Sequence, residues 1–176
     1  MRRLIVSGRP TGKDVDHNLI RESIIYFENT VFAMYAEVIK QIDLAINIIP
    51  NLLEDHNSTG FSCWADVHIN PKQFIIEMDS KLDYKTALIT LAHEFTHIKQ
   101  YAMGEKQDSL DGLTARWCGM MITLDDMHYY DHPWEIEAYG REYGMYSRFN
   151  NRHKTDAMPE KIINGKVLSV ISAAVA

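Results

Sequence analysis

Apolar residues recur along the chain in two rhythms. Between about residues 16 and 36, Ile20, Ile24, Phe27 and Val31 are spaced by three and four, the period of a helix with one buried face. Residues 42–50, "IDLAINIIP", carry a strand-like apolar run ended by proline. Residues 60–79, "GFSCWADVHINPKQFIIEMD", read as two strands with Asn70-Pro71 supplying the turn. The helical rhythm returns over about 84–102, where Ala87, Leu88, Leu91, Ala92, Phe95 and Ile98 form one stripe. Asp83 is placed to cap the start of that helix, and Gly104 lies just past its end. The rhythm fails over 105–131, which reads as irregular, with a short helix around 113–122 and an acidic surface loop. A last helix opens at "HPWEIEAYGREYGMYSRF", with Pro133 at its favoured first position. These elements predict an α+β fold in one domain, 1–176: an N-terminal helix, a small antiparallel sheet of two to three strands, the 84–102 helix, and a later helix.

Composition narrows this only slightly. In 176 residues, 46% hydrophobic and 24% charged, there is material for one real core and no sign of disorder. A net charge of -6 argues against broad binding to nucleic acid or to an anionic membrane. The strip Arg141, Arg148, Arg152 and Lys154 reads as a solvated helix face. No stretch approaches the roughly 18 apolar residues of a membrane span. "MRRLIVSGRPTGKD" is too short in apolar residues for a secretion signal, and "VLSVISAAVA" reads as a last packed element or a tail. With only Cys63 and Cys118 there is no disulfide framework, so a cytoplasmic setting is expected and the sequon at Asn57 carries little weight.

The candidate chemistry lies inside the most apolar helix, in "ITLAHEFTHIKQ". On a helix His93 and His97 are one turn apart and face the same way, so both imidazoles can bind one ion. Glu94 lies beside them as a base for an activated water. This is the His-Glu-x-x-His pattern of zinc hydrolases. A catalytic zinc site needs a third protein ligand and an open position. His128, His132, Glu135 and Glu137 are the candidates that follow. Glu135 and Glu137 cannot point the same way, two residues apart on a helix. Glu135 shares its face with Ala138, Tyr139 and Glu142, and a small residue there lets two helices approach closely enough to share an ion. Glu137 shares its face with Arg141, which predicts a surface ion pair. Glu135 could instead complete a capping box behind His132. The face argument favours Glu135, with His128, His132 and Glu137 left open.

"HEFTHIKQY" followed some forty residues later by "PWEIEAYGRE" resembles the gluzincin metallopeptidases, in particular the small versions in phages and bacteria such as the SprT-like group. The resemblance implies that His93, His97 and Glu135 bind zinc, with Ala138 three residues beyond the third ligand, and that Glu94 is the general base. It covers mainly residues 60–150. Two departures matter. Many gluzincins have Asp or Asn directly after that alanine, where this chain has Tyr139. In SprT-like proteins the third ligand is usually histidine, which keeps His128 and His132 in view.

The expected activity is therefore zinc-dependent hydrolysis of a peptide or protein substrate. The strand around Phe61–Asp66 could pair with an extended chain by strand addition, giving endopeptidase behaviour with little sequence selectivity. Tyr130, among Tyr129, Tyr139 and Tyr143, is the candidate donor to the oxyanion. Trp64 is expected in the core. The alternative is a zinc-stabilised binding protein, such as a phage-encoded effector, without turnover. Glu94 separates the two, because a structural zinc site has no use for a glutamate beside the ion. Substrate, partners and oligomeric state are not legible.

Overall fold

The computed structural model describes residues 3–65 and 71–156, together with the backbone of 162–163 and 166–167. The expected turn at Asn70-Pro71 falls partly, and the tail "VLSVISAAVA" wholly, outside the described side chains. The α+β class holds. Strand β1 (Leu4–Ser7) leads to helix α1 (His17–Val31), the short α2 (Ala36–Ile39) and β2 (Asp43–Ile49). The short α3 (Leu52–His56), β3 (Gly60–Trp64) and β4 (Gln73–Asp79) precede the long α4 (Tyr84–Ala102). Three short strands, β5 (Lys106–Asp108), β6 (Thr114–Trp117) and β7 (Met120–Thr123), connect α4 to α5 (Pro133–Asp156).

The main sheet has the order β1-β2-β4-β3, one strand more than expected. β1, β2 and β4 run parallel, and only the edge strand β3 is antiparallel. The foreseen antiparallel pair is thus present as β3–β4, inside a mixed sheet whose parallel partners are far apart in sequence. Alternation in β2 aims Leu44, Ile46 and Ile48 at one face, in register with Phe74, Ile76 and Met78 of β4. That face carries α1 and α4, and Ile20, Ile24, Phe27, Leu88, Leu91 and Phe95 bury completely against it.

α1 stops at Val31 rather than continuing to 36, because Phe32 turns inward and is 1% exposed. α4 forms where the sequence places it: Asp83 accepts the Thr86 N–H at 3.0 Å, and Gly104 adopts φ 69° past the end. Helix α5 packs along α4 through Ala138, which is fully buried, with Met145 and Phe149 further along.

The region 105–131 corrects the sequence reading. No helix forms at 113–122; β5-β6-β7 make an antiparallel meander. Cys118 and Gly119 both take positive φ, 47° and 89°, so a two-residue turn of the hairpin-favouring hand pairs Trp117 with Met120. Two of the acidic residues are fixed rather than loose: Asp111 accepts from the Leu113 and Thr114 amides, and Asp108 from the Tyr101 hydroxyl. No helix among the described residues is long and apolar enough to cross a membrane.

Candidate metal centre

Three side chains from two helices converge where α4 and α5 cross. His93 and His97 Nε2 lie 3.1 Å apart, and the Glu135 carboxylate oxygens lie 3.4 Å from the first and 3.5 Å from the second. Donors held tetrahedrally by bonds of about 2.0 Å stand about 3.3 Å from one another, so the spacing suits a zinc ion. These three are the group of potential ligands found among the described residues. Glu135 Oε2 is buried without a hydrogen-bond partner, a costly arrangement unless a cation faces it. The donor set fits the metal.

Glu135 does not close a capping box. His132 caps α5 with its carbonyl, accepting the amides of Glu135 and Ile136, while the Glu135 side chain turns to the histidines. Of the other candidates, His132 stacks on Trp134 at 4.6 Å with Nε2 near the Leu124 carbonyl, and His128 stacks on Tyr130. Neither joins the group. Glu137 also points elsewhere, but it is not a plain surface residue. It bridges Arg141, Lys99 and the Gln100 amide, tying α5 to α4. Arg141 of the basic strip is committed to that bridge.

A second ring of contacts fixes the imidazoles. His93 Nδ1 lies 2.7 Å from Glu142 Oε2, and His97 Nδ1 lies 2.8 Å from Gln100 Oε1. Both oxygens can only accept, so each Nδ1 carries the proton and each Nε2 keeps its lone pair for the centre. Gln100 is oriented in turn by donating to the Trp134 carbonyl and to Glu137. Tyr139 places its ring 4.6 Å from that of His93.

The electrostatics follow. Burial alone would lower His93, but the Glu135 and Glu142 carboxylates prevail and raise it to about 9. Burial opposes the Glu135 charge, yet with no ion bound the two imidazoles facing it hold it far below the usual carboxylate range. Burial pushes Glu94 up, only partly offset by His97, His93 and the Ser62 hydroxyl. Glu94 is thus a carboxyl with a raised pKa beside the two histidines, a setting suited to proton exchange.

Two cavities meet at this point. A cleft of about 440 Å³ runs from His93 and Glu94 past Tyr129, Tyr130 and Tyr139. A smaller one of about 230 Å³ is lined by His97, Glu135, Tyr101 and Lys106. Ser58, Gly60 and Tyr129 border both, so one groove passes over the centre. Tyr130 stays in the outer cleft, 59% exposed, its ring 5.5 Å from Tyr139. Tyr129 is the tyrosine against the centre, its hydroxyl raised first by burial and then by the nearby Glu135 charge. Trp64 packs on Tyr101 at 4.7 Å, as expected of a core residue. Comparison with protein-family models, with curated proteins and with solved structures finds no match to this chain.

Sequence reasoning ranked Tyr130 ahead of Tyr129 and missed the parts played by Gln100, Glu142 and Lys106. Two carried a signal. Glu142 is on Glu135's face of α5, and Gln100 follows His97 by three on α4. Lys106 carried none.

Proposed function

We propose that the chain is a gluzincin-type zinc metallopeptidase acting on peptide or protein substrates. The observation behind this reading is the convergence of His93 Nε2, His97 Nε2 and Glu135 on one point, with Glu94 beside them on the wall of an open groove. The fully buried Ala138, three residues beyond Glu135, supports the family resemblance. Two unpaired cysteines support a reducing, cytoplasmic setting.

Bound here, zinc would acidify a water in its open position and polarise a substrate carbonyl. Glu94 takes the proton of the attacking water and delivers it to the leaving nitrogen, which its raised pKa favours. Tyr129 borders both arms of the groove beside Glu135. Tyr130, in the outer cleft, contacts the substrate chain rather than the reacting carbonyl. β3 is the sheet edge, and its residues Gly60, Phe61 and Ser62 border the smaller cavity. An extended substrate could add to that edge as a further strand.

The test is zinc per chain by elemental mass spectrometry on wild type, Glu135→Ala and Glu137→Ala, alongside cleavage of a denatured protein by wild type and Glu94→Ala. About one zinc in wild type, retained in Glu137→Ala and lost in Glu135→Ala, is expected, with turnover abolished in Glu94→Ala. No zinc in reconstituted wild type, or equal cleavage by Glu94→Ala, sinks the reading.

A further inference from the structure

Lys106 is a lysine in an unusual place. Lysines normally extend their ammonium group into water. This side chain is 13% exposed and lines the smaller cavity together with His97 and Glu135. Its Nζ lies 4.8 Å above the ring of Tyr101 and 4.8 Å above that of Trp134, two faces that aim the cation without accepting its protons in ordinary hydrogen bonds. Its carboxylate neighbour, Asp108, is 3.5 Å away, long for a charge-assisted bond, and the other Asp108 oxygen is taken by the Tyr101 hydroxyl. Burial lowers the lysine's pKa against the pull of Asp108, Glu135 and Glu94.

Lys106 is paired only loosely, with Asp108, and a divalent ion bound at the centre would relieve the nearer carboxylates of any need for this cation. Glu94 and Glu135 match the ion's two charges, and His93 and His97 are neutral as ligands. The larger arm of the groove, by contrast, is walled near the centre by tyrosines and the Glu142 carboxylate, with no lysine or arginine in its lining. The groove is therefore polarised, with an aromatic arm on one side of the centre and a lysine-lined pocket on the other.

The geometry points to Lys106 as the group that binds an anionic oxygen of the substrate, in the pocket next to the metal. This rests on the metallopeptidase reading and extends it to substrate choice. Two anions have the right chemistry. One is the oxyanion that develops on the scissile carbonyl, which would leave the enzyme an endopeptidase. The other is a free terminal carboxylate, which would make it select chain ends.

Calorimetric titration of the zinc-loaded full chain separates these. The probes are acetohydroxamate, which anchors on zinc; the monohydroxamates of malonic, succinic and glutaric acid, which add a carboxylate at increasing reach; and inorganic phosphate, a tetrahedral anion. They are compared on wild type, Lys106→Met, Lys106→Gln and Lys106→Arg, with zinc content and melting temperature checked for each. A carboxylated probe that gains about tenfold or more over acetohydroxamate, with the gain lost in Lys106→Met and Lys106→Gln and kept in Lys106→Arg, assigns a terminal carboxylate. A similar loss confined to phosphate assigns the oxyanion. If acetohydroxamate binds all four proteins and no anion distinguishes them, the proposal is overturned while the metal site stands. If acetohydroxamate fails to bind zinc-loaded wild type, the metal reading falls and takes this proposal with it.

Discussion

Glu142 reaches His93 from two turns beyond Glu135 on α5, its Oε2 2.7 Å from Nδ1. One face of one helix thus supplies both a proposed ligand and the carboxylate that orients another proposed ligand. Tyr139, where the resemblance leads one to look for Asp or Asn, packs edge-on against the same imidazole instead. Replacing Glu142 with alanine should weaken zinc binding by about 10–100-fold while leaving the fold intact. Glu142→Gln, which keeps an acceptor, should lose less. Competition against a chromogenic chelator measures both. Unchanged affinity in Glu142→Ala would show that His93 needs no orienting partner.

Ala138 sets the distance between the ligand helices. It is fully buried at their crossing, so a larger side chain must push α5 from α4 and carry Glu135 with it. Ala138→Leu should cost about 1–3 kcal/mol of stability and reduce zinc occupancy. Thermal melts and metal analysis on the same preparation would show both losses together.

Gly60 lines both cavities where β3 passes α4. A Cβ there would meet the Thr90 methyl at 2.6 Å and the Glu77 carbonyl at 2.8 Å. Neither can swing away, one being a branched side chain on a packed helix and the other sheet backbone. Gly60→Ala should therefore destabilise the protein by about 1–3 kcal/mol. Chemical denaturation gives the value, and an effect below about 0.5 kcal/mol would mean that the strand shifts freely.

Glu137 links acidity to helix docking. Burial would raise its pKa, but hydrogen bonds from Gln100 and Lys99, with the Lys99 and Arg141 charges, hold it below the ordinary value. A carboxyl depressed on folding contributes stability above its unfolded pKa of about 4.3, and that contribution fades as pH falls through the lower folded value. Glu137→Gln should be less stable than wild type at pH 7, by about 1–3 kcal/mol. The gap should close below about pH 4. Melting curves from pH 3 to 7 test the convergence; a gap constant with pH would assign the loss to packing.

What the sequence disclosed depended on locality. α4 was legible because its cap, its apolar stripe and its terminal glycine are all encoded within about twenty residues. Glu135 was legible because Ala138 marks the same face. The parallel pairing of β1, β2 and β4 was not, since the partners of Leu44 are Leu4 and Phe74, and no local pattern names either. The meander escaped because its turn is Cys118-Gly119 rather than the Asn-Gly or Asp-Gly that usually announces one. Glu137 looked like half of a surface pair with Arg141; its links to Lys99 and Gln100 exist only once α5 docks.

α4 has a further consequence. It is enclosed on nearly every side, with Thr90, Glu94, Thr96, His97, Lys99 and Gln100 buried along with its apolar stripe. Its histidines are clamped by Gln100 and Glu142, so their rotamers are set by packing that owes nothing to the ion. Metal uptake should therefore be a simple capture, with a single-exponential time course whose rate is linear in zinc concentration. Stripping the ion should leave the circular dichroism spectrum and most of the cooperative melt in place. In chains that fold around their metal, chelation and unfolding are one event; on the proposed reading they should come apart here, with the site assembled before any ion arrives.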